Sequence, residues 1–236
     1  MLSVLVPCYN ESTNLPLLVE RLEAVLNEEL DVEFELVLVD DGSTDDTWEV
    51  AERLAGEKSW IVPVRHETNR GMSEGWATAL IVSKGEHVLT MDADLQYRPE
   101  DIPLLWRKML DEKADIVQGW RLSSPGGSRV RRGASRLFSL VLQLLFGTNL
   151  NDVKSGFILY KRKIMEEIIE DRYHFRFFQH FPTIAAHERG YDIVEVGVVF
   201  DRRHSGESFI GNVWSFGLAS LGDFPKAIKL YRRRRR

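Results

Sequence analysis

Short apolar runs alternate with amphipathic stretches through the first half of the chain, and this alternation fixes the class of fold. Ser3–Cys8, Phe34–Val39, Ile61–Arg65, Glu86–Met91 and Asp115–Gly119 are apolar and brief, as strands buried on both faces should be. Helical patterns lie between them. Leu15, Leu18, Leu22 and Val25 recur at helical spacing to about residue 29. Ser43 or Thr44 is placed to cap a helix running to about Ala55. Residues 72–83 form a third helical pattern, and Pro99 opens a fourth. Strict strand–helix alternation predicts an α/β fold, with a mostly parallel central sheet and helices on both faces.

The second half is less regular. Residues 121–131 form a loop rich in Gly, Ser and Arg, and a helix follows to about 146, with Gly147 as its stop. Ser155–Tyr160 is expected as a strand, 161–170 and 176–188 as helices, and Tyr191–Phe200 as a long strand. Asp201–Ser208 is a polar loop, and 213–231 is a terminal amphipathic segment. No internal repeat or linker splits the chain, so residues 1–211 are expected to form one domain and 212–236 an amphipathic, basic tail.

In open α/β sheets, ligands bind beyond the carboxyl ends of the strands. Three polar, acid-rich segments occupy those ends here: Pro7-Cys-Tyr-Asn-Glu11, Asp40-Asp41-Gly42 and Asp92-Ala-Asp94. Carboxylates converging on one rim repel unless a positive charge joins them. Mg2+ or Mn2+ suits oxygen ligands, and magnesium commonly takes one or two carboxylates and completes its shell with water and phosphate oxygens. Asp92 and Asp94 can reach one metal across a tight turn, with Gln96 adding a neutral oxygen. An Asp-x-Asp pair alone reads first as a solvated turn; its place at the end of an apolar strand in an alternating chain reverses that in favour of the metal. Asp40 and Asp41 sit among ordinary turn and cap residues, or accept hydrogen bonds from a base or ribose. Tyr9 offers a face for base stacking or packs at the rim of the core. Arg121, Arg131, Arg202 and Arg203 are candidates for bidentate phosphate contacts, and Arg131 and Ser135 share one helix face.

Composition removes some classes. A formal net charge of −5 opposes general nucleic-acid binding. Cys8 is the only cysteine, so no intrachain disulfide forms, which suits a reducing compartment. No signal-peptide pattern opens the sequence. The longest apolar stretch, Leu137–Phe146, is about half the roughly 20 residues of a membrane span. The expectation is a cytoplasmic protein, peripheral on the cytoplasmic face of a membrane.

Val6-Pro-Cys-Tyr-Asn-Glu11, Val39-Asp-Asp-Gly-Ser-Thr-Asp45, Met91-Asp-Ala-Asp-Leu-Gln96, Ser155-Gly-Phe157 and Arg203-His-Ser-Gly-Glu-Ser208 follow one another in this order. Together they resemble the family-2 glycosyltransferases, and within them the dolichol-phosphate mannose synthase-like branch that glycosylates polyprenyl phosphates. The resemblance spans essentially the whole chain. It implies a GT-A fold, Rossmann-like in its sheet, and an inverting hexosyltransferase using a nucleotide sugar such as GDP-mannose or UDP-glucose. By that resemblance Pro7, Tyr9, Glu11, Asp40, Asp41, Asp92, Ala93 and Arg203 would bind the donor. Asp92, Asp94 and Gln96 would hold Mg2+ or Mn2+. Arg121, Arg131 and Ser135 would receive the acceptor phosphate, and Asp94 and Arg121 would serve catalysis. A polyprenyl phosphate attacks through its own anionic oxygen, so no strong general base is required and catalysis is mainly positioning and charge stabilisation.

The sequence also departs from the branch. Phe209 stands where a Lys is usual, Gln179-His-Phe-Pro-Thr183 replaces a His-Arg-Phe-x-Pro stretch, and the processive Gln-x-x-Arg-Trp signature is absent. Three rival readings stand beside the lipid-phosphate transferase. One is a transferase to a saccharide or other hydroxyl, with Asp152 as base. Another is a nucleotidyltransferase, opposed by the lack of a Gly-rich basic loop after the first strand. The last is a catalytically inactive nucleotide-sugar-binding module. The tail, with Trp214, Phe216, Leu218, Leu221, Phe224, Ile228 and Tyr231 ahead of Arg232–Arg236, reads as either an interfacial membrane anchor or a helix packed on the domain.

Overall fold

The computed structural model describes residues 1–122, 129–205 and 222–232, without the side chains of 129–132, 134–138 and 232. The chain runs β1 (Leu2–Cys8), α1 (Leu15–Glu29), β2 (Phe34–Asp40), α2 (Thr47–Glu57), β3 (Ile61–Arg65), α3 (Met72–Val82) and β4 (His87–Thr90). It continues with α4 (Ile102–Glu112), β5 (Ile116–Arg121), α5 (Arg129–Phe146), β6 (Ile158–Lys161), α6 (Arg162–Ile169), α7 (Pro182–His187), β7 (Ile193–Val198) and α8 (Phe224–Arg232). Among the described residues these strands form one seven-stranded sheet in the order β3-β2-β1-β4-β6-β5-β7.

The apolar runs become central strands because both of their faces are covered. Along β1, Val4 and Val6 point into one core layer and Leu5 into the other; along β2, Leu36 and Leu38 oppose Val37 and Val39 in the same way. All seven are buried. An unbroken apolar run is the mark of such a two-sided strand. α1 covers one side with Leu15, Leu18 and Leu22, and α3 covers the other with Trp76, Ala79 and Leu80. β1 pairs in parallel with β2 and β4, and β2 with β3, so their carboxyl ends share one rim.

The sheet is mostly parallel, as expected; β6 alone among the described strands enters antiparallel, between β4 and β5, since an apolar run records burial and not direction. The observed fold differs from the sequence reading in two helices. Ser43 and Thr44 do not cap α2, which begins at Thr47. Ser43 Oγ instead accepts the Asn10 N–H at 2.9 Å, and the Thr44 N–H goes to Asn10 Oδ1 at 2.8 Å, which ties two rim loops together. The helix expected over 176–188 is broken: Phe178–His180 is a 3-10 turn and α7 begins at Pro182. Buried Asp223 accepts the N–H groups of Arg176 and Phe177, both at 2.9 Å, and fixes that stretch in a turn.

The described part of the tail packs on the domain. Phe224, Ala227 and Tyr231 of α8 are buried, with Tyr231 edge-on to Phe146 and stacked against Phe175. The rest of the expected anchor, including Trp214, Phe216, Leu218, Leu221 and Arg233–Arg236, lies outside the described residues. Among the described residues no helix is long and apolar enough to cross a membrane.

Candidate active site

Three rim loops and the segment after β7 meet at the carboxyl ends of β1, β2 and β4. The β1 loop is held by Asn10, whose φ of 57° is tolerated by an asparagine, and by the Glu11 N–H, which donates to Thr47 Oγ1 at 2.8 Å. The β4 loop turns at Leu95, with φ 61°. A bulky residue in that region is strained, and such strain collects at functional turns. The turn brings the Gln96 N–H onto Asp94 Oδ1 at 3.0 Å.

The segment after β7 is clamped onto this turn. Asp201 N donates to the Gln96 carbonyl at 2.8 Å, Gln96 Nε2 donates to the Asp201 carbonyl at 3.1 Å, and Arg98 grips the Asp201 carboxylate at 2.5 and 2.9 Å. Tyr97 bridges Phe200. The clamp delivers Arg203 between two acids, 3.1 Å from Glu11 Oε1 and 3.1 Å from Asp94 Oδ2. Asn14 completes the cluster: its amide donates to Glu11 Oε2, and its Oδ1 accepts from Ser205 Oγ at 2.5 Å.

The carboxyls here are held against their preference for water. Burial pushes the Asp92 pKa up to about 7, with the Asp94 charge adding to the effect and Arg121 and Arg203 opposing it. Asp94 and Glu11 are raised as well, burial again being the largest cause. Acids crowded at the end of a strand with elevated pKa values are what an added cation would relieve. Among the described residues, no three His, Cys, Asp or Glu side chains form a cage able to hold a metal by themselves. Asp92 and Asp94 are oxygen donors of the type a hard divalent cation takes, with substrate phosphate and water supplying other oxygens. Gln96, the third residue expected there, has its side-chain amide donating to the Asp201 carbonyl at 3.1 Å.

The remaining candidates fall as follows. Asp40 is buried, accepts the Ser43 N–H at 3.0 Å and pairs with Arg65 at 3.2 Å. Asp41 anchors the loop after β3, taking bonds from His66 Nδ1 at 2.7 Å and from the N–H groups of Arg70 and Gly71 at 2.9 and 2.7 Å. Pro7 is packed by α3, where a Cβ at Gly75 would stand 2.7 Å from it. Ala93 is buried in the core, and Tyr9 is half-buried at the rim. Arg121 forms a bidentate pair with Asp152, at 2.6 and 3.0 Å, and lies 5.1 Å over the Phe200 ring. The pair holds the Asp152 pKa below the usual carboxylate range against the effect of burial, the larger single influence. That weighs against Asp152 as a base. Arg131 and Ser135 fall on α5, with side chains outside the described residues. Sequence reasoning missed Asn14, which could have been found from its spacing, three residues beyond Glu11.

A doubly wound sheet with one antiparallel insertion, an acid pair at the end of β4 and an arginine returning from the last strand together define a nucleotide-sugar transferase fold of the GT-A type. The chain belongs to glycosyl transferase family 2, whose family model matches residues 3–169. This bears out the resemblance carried by the motifs. It is 37% identical over 171 residues to an undecaprenyl-phosphate 4-deoxy-4-formamido-L-arabinose transferase of Pseudomonas syringae pv. syringae, covering 72% of this chain and 50% of that protein. It is 31% identical over 207 residues to the protein of the same description in Photorhabdus laumondii, covering 87% of this chain and 62% of the relative. The chain thus spans about half to three-fifths of the length of these relatives. Among solved structures it is similar to glucosyl-3-phosphoglycerate synthase from Mycobacterium tuberculosis in complex with Mn2+, uridine diphosphate and phosphoglyceric acid. The TM-score is 0.71 at 20% identity, over 97% of this chain and 78% of that one.

Proposed function

We propose that this chain transfers a sugar, with inversion, from a nucleoside diphosphate to a polyprenyl phosphate at a membrane surface. The observation that carries the reading is the convergence of Asp92, Asp94, Glu11 and Arg203 on one rim, with the Arg121–Asp152 pair beside it. Relatives described as undecaprenyl-phosphate sugar transferases support the acceptor. The uridine diphosphate bound by the mycobacterial synthase favours a uridine donor over GDP-mannose. The sugar is then a hexose such as glucose, or a modified pentose like that named for the relatives.

A bound Mg2+ or Mn2+ would neutralise charge on the departing diphosphate. The chain's own residues do the positioning. Tyr9 and the rim loop from Pro7 to Glu11 offer a floor for the nucleoside, and Asp40 stands at its edge. Arg203, released from Glu11 and Asp94 when the phosphates arrive, binds their oxygens. Arg121 orients the acceptor phosphate so that its oxygen faces the anomeric carbon. That oxygen forms the new C–O bond as the bond to the diphosphate breaks, and the nucleoside diphosphate leaves with the electron pair. No proton has to be removed, consistent with Asp152 serving Arg121.

A hydroxyl acceptor would need a base, and the bidentate pairing of Asp152 weighs against that version. The test is turnover of undecaprenyl phosphate in detergent micelles or vesicles with UDP-glucose, UDP-4-deoxy-4-formamido-L-arabinose or GDP-mannose, plus Mn2+. The expected result is a lipid-linked sugar monophosphate with a UDP donor. Hydrolysis alone, or transfer only to a free hydroxyl acceptor, would overturn the reading.

A further inference from the structure

Asn14 stands at the start of α1, where an asparagine ordinarily turns its side-chain oxygen onto the N–H groups of the first helical turn. Here it does not: no side-chain bond caps α1. Pro16, second in the helix, has no N–H to offer. The turn is already closed by the Glu11 carbonyl, which accepts the N–H groups of Asn14 and Leu15 at 2.9 and 3.1 Å. The buried Asn14 side chain goes to two other partners. Its amide donates to Glu11 Oε2 and, at 3.4 Å, to the Ser205 carbonyl, while its oxygen accepts from Ser205 Oγ at 2.5 Å.

These bonds complete a bracket around Arg203. Two residues before it, Asp201 is held by Gln96 and Arg98; two residues after it, Ser205 is held by Asn14. Between them the His204 N–H reaches the Asp94 carbonyl at 3.4 Å. On the facing side, the Asn14 amide engages Glu11 Oε2 while Oε1 meets Arg203 at 3.1 Å. One carboxamide thus fixes both the segment that carries the guanidinium and the carboxylate that receives it. An arginine loses rotamer freedom when a phosphate fixes it, and anchoring its backbone and its partner beforehand lowers that cost. Asparagine suits the task because it presents a donor and an acceptor at once. An aspartate there would set a second carboxylate against Glu11.

We propose that Asn14 is a positioning residue for the donor diphosphate, acting through Arg203 by locking Glu11 and the segment after β7 where the guanidinium meets the phosphate oxygens. The inference rests on the nucleotide-sugar reading above and adds to it a residue that works without touching the donor.

The test is a double-mutant cycle on the full chain, read by calorimetric titration of UDP and GDP with Mn2+. Asn14→Asp keeps the shape of the side chain and the oxygen that takes Ser205, and removes only the donor to Glu11. Ser205→Ala, which removes the outer partner, serves if the Asn14 variant does not fold. For whichever nucleotide wild type binds, either substitution should weaken binding about 10-fold. In an Arg203→Ala background the same substitution should change affinity less than about 2-fold, because residues acting as one unit are not additive. A merely structural role would weaken binding by the same factor in both backgrounds, and that result would overturn the inference. So would a folded Asn14→Asp that binds the nucleotide as wild type does, and both results leave the nucleotide-sugar reading standing. A wild type that binds neither nucleotide would overturn the two together.

Discussion

Arg203 stands 3.1 Å from Asp94 Oδ2 while the same guanidinium lies 3.1 Å from Glu11 Oε1. This arginine pairs with both and so lets the acids that follow β1 and β4 face each other. The same group is then available to the phosphates when they enter. Arg203→Ala should reduce kcat/KM for the donor by about 100-fold, comparable with the loss of a donor at a developing oxyanion. Arg203→Lys should recover only part, since an ammonium cannot span two acceptors as a planar fork does. Steady-state kinetics with varied donor checks both.

The acid pair predicts a pH dependence for cation binding. Asp92 is raised to about 7, and a metal binds the ionised form. Mn2+ affinity should therefore fall as pH drops from about 8 through 7, with proton release on binding near neutrality. The sign for stability is opposite. A carboxyl whose folded pKa exceeds its unfolded value near 3.9 contributes stability below that value and loses it as pH rises through about 7. Asp92→Asn should thus raise the melting temperature of the metal-free protein at pH 8 while abolishing Mn2+ binding. Differential scanning calorimetry beside a Mn2+ titration reads both effects.

Asp41 is predicted to matter first for stability. It takes three hydrogen bonds from the loop after β3, from His66, Arg70 and Gly71. Asp41→Ala removes the partner of buried His66 and of the two part-buried N–H groups and should cost roughly 1–3 kcal/mol, seen as a lower denaturant midpoint. Gly42 beside it, at φ +73°, would place a Cβ 2.5 Å from the Thr68 carbonyl carbon. Gly42→Ala should therefore destabilise by more than about 1 kcal/mol.

The first half of the fold was legible because burial on both faces writes itself into strands as continuous apolar runs. β1, β2 and β3 match the expected segments to within a residue. The antiparallel β6 was not legible, since strand direction is set by neighbours distant in sequence. The acid turn Asp92–Gln96 could be read because all its members are local. The partners that define the site could not: Arg203 meets Glu11 from 192 positions away, and Arg121 meets Asp152 from 31. Arg121 could be placed near the rim from its position just after a strand, but nothing local announces that its guanidinium is held by Asp152. At Asp41 the sequence showed a rim aspartate but not the loop after β3 that its side chain holds.

The most direct test of the central claim is a calorimetric titration of UDP and GDP into wild type and Asp94→Ala, each with and without Mn2+. The account predicts Mn2+-dependent binding of UDP to wild type. In the variant, binding should weaken at least about 100-fold, more than outer partners of a metal commonly cost, with the melting curve intact. UDP binding that ignores Mn2+ or survives in Asp94→Ala would contradict it.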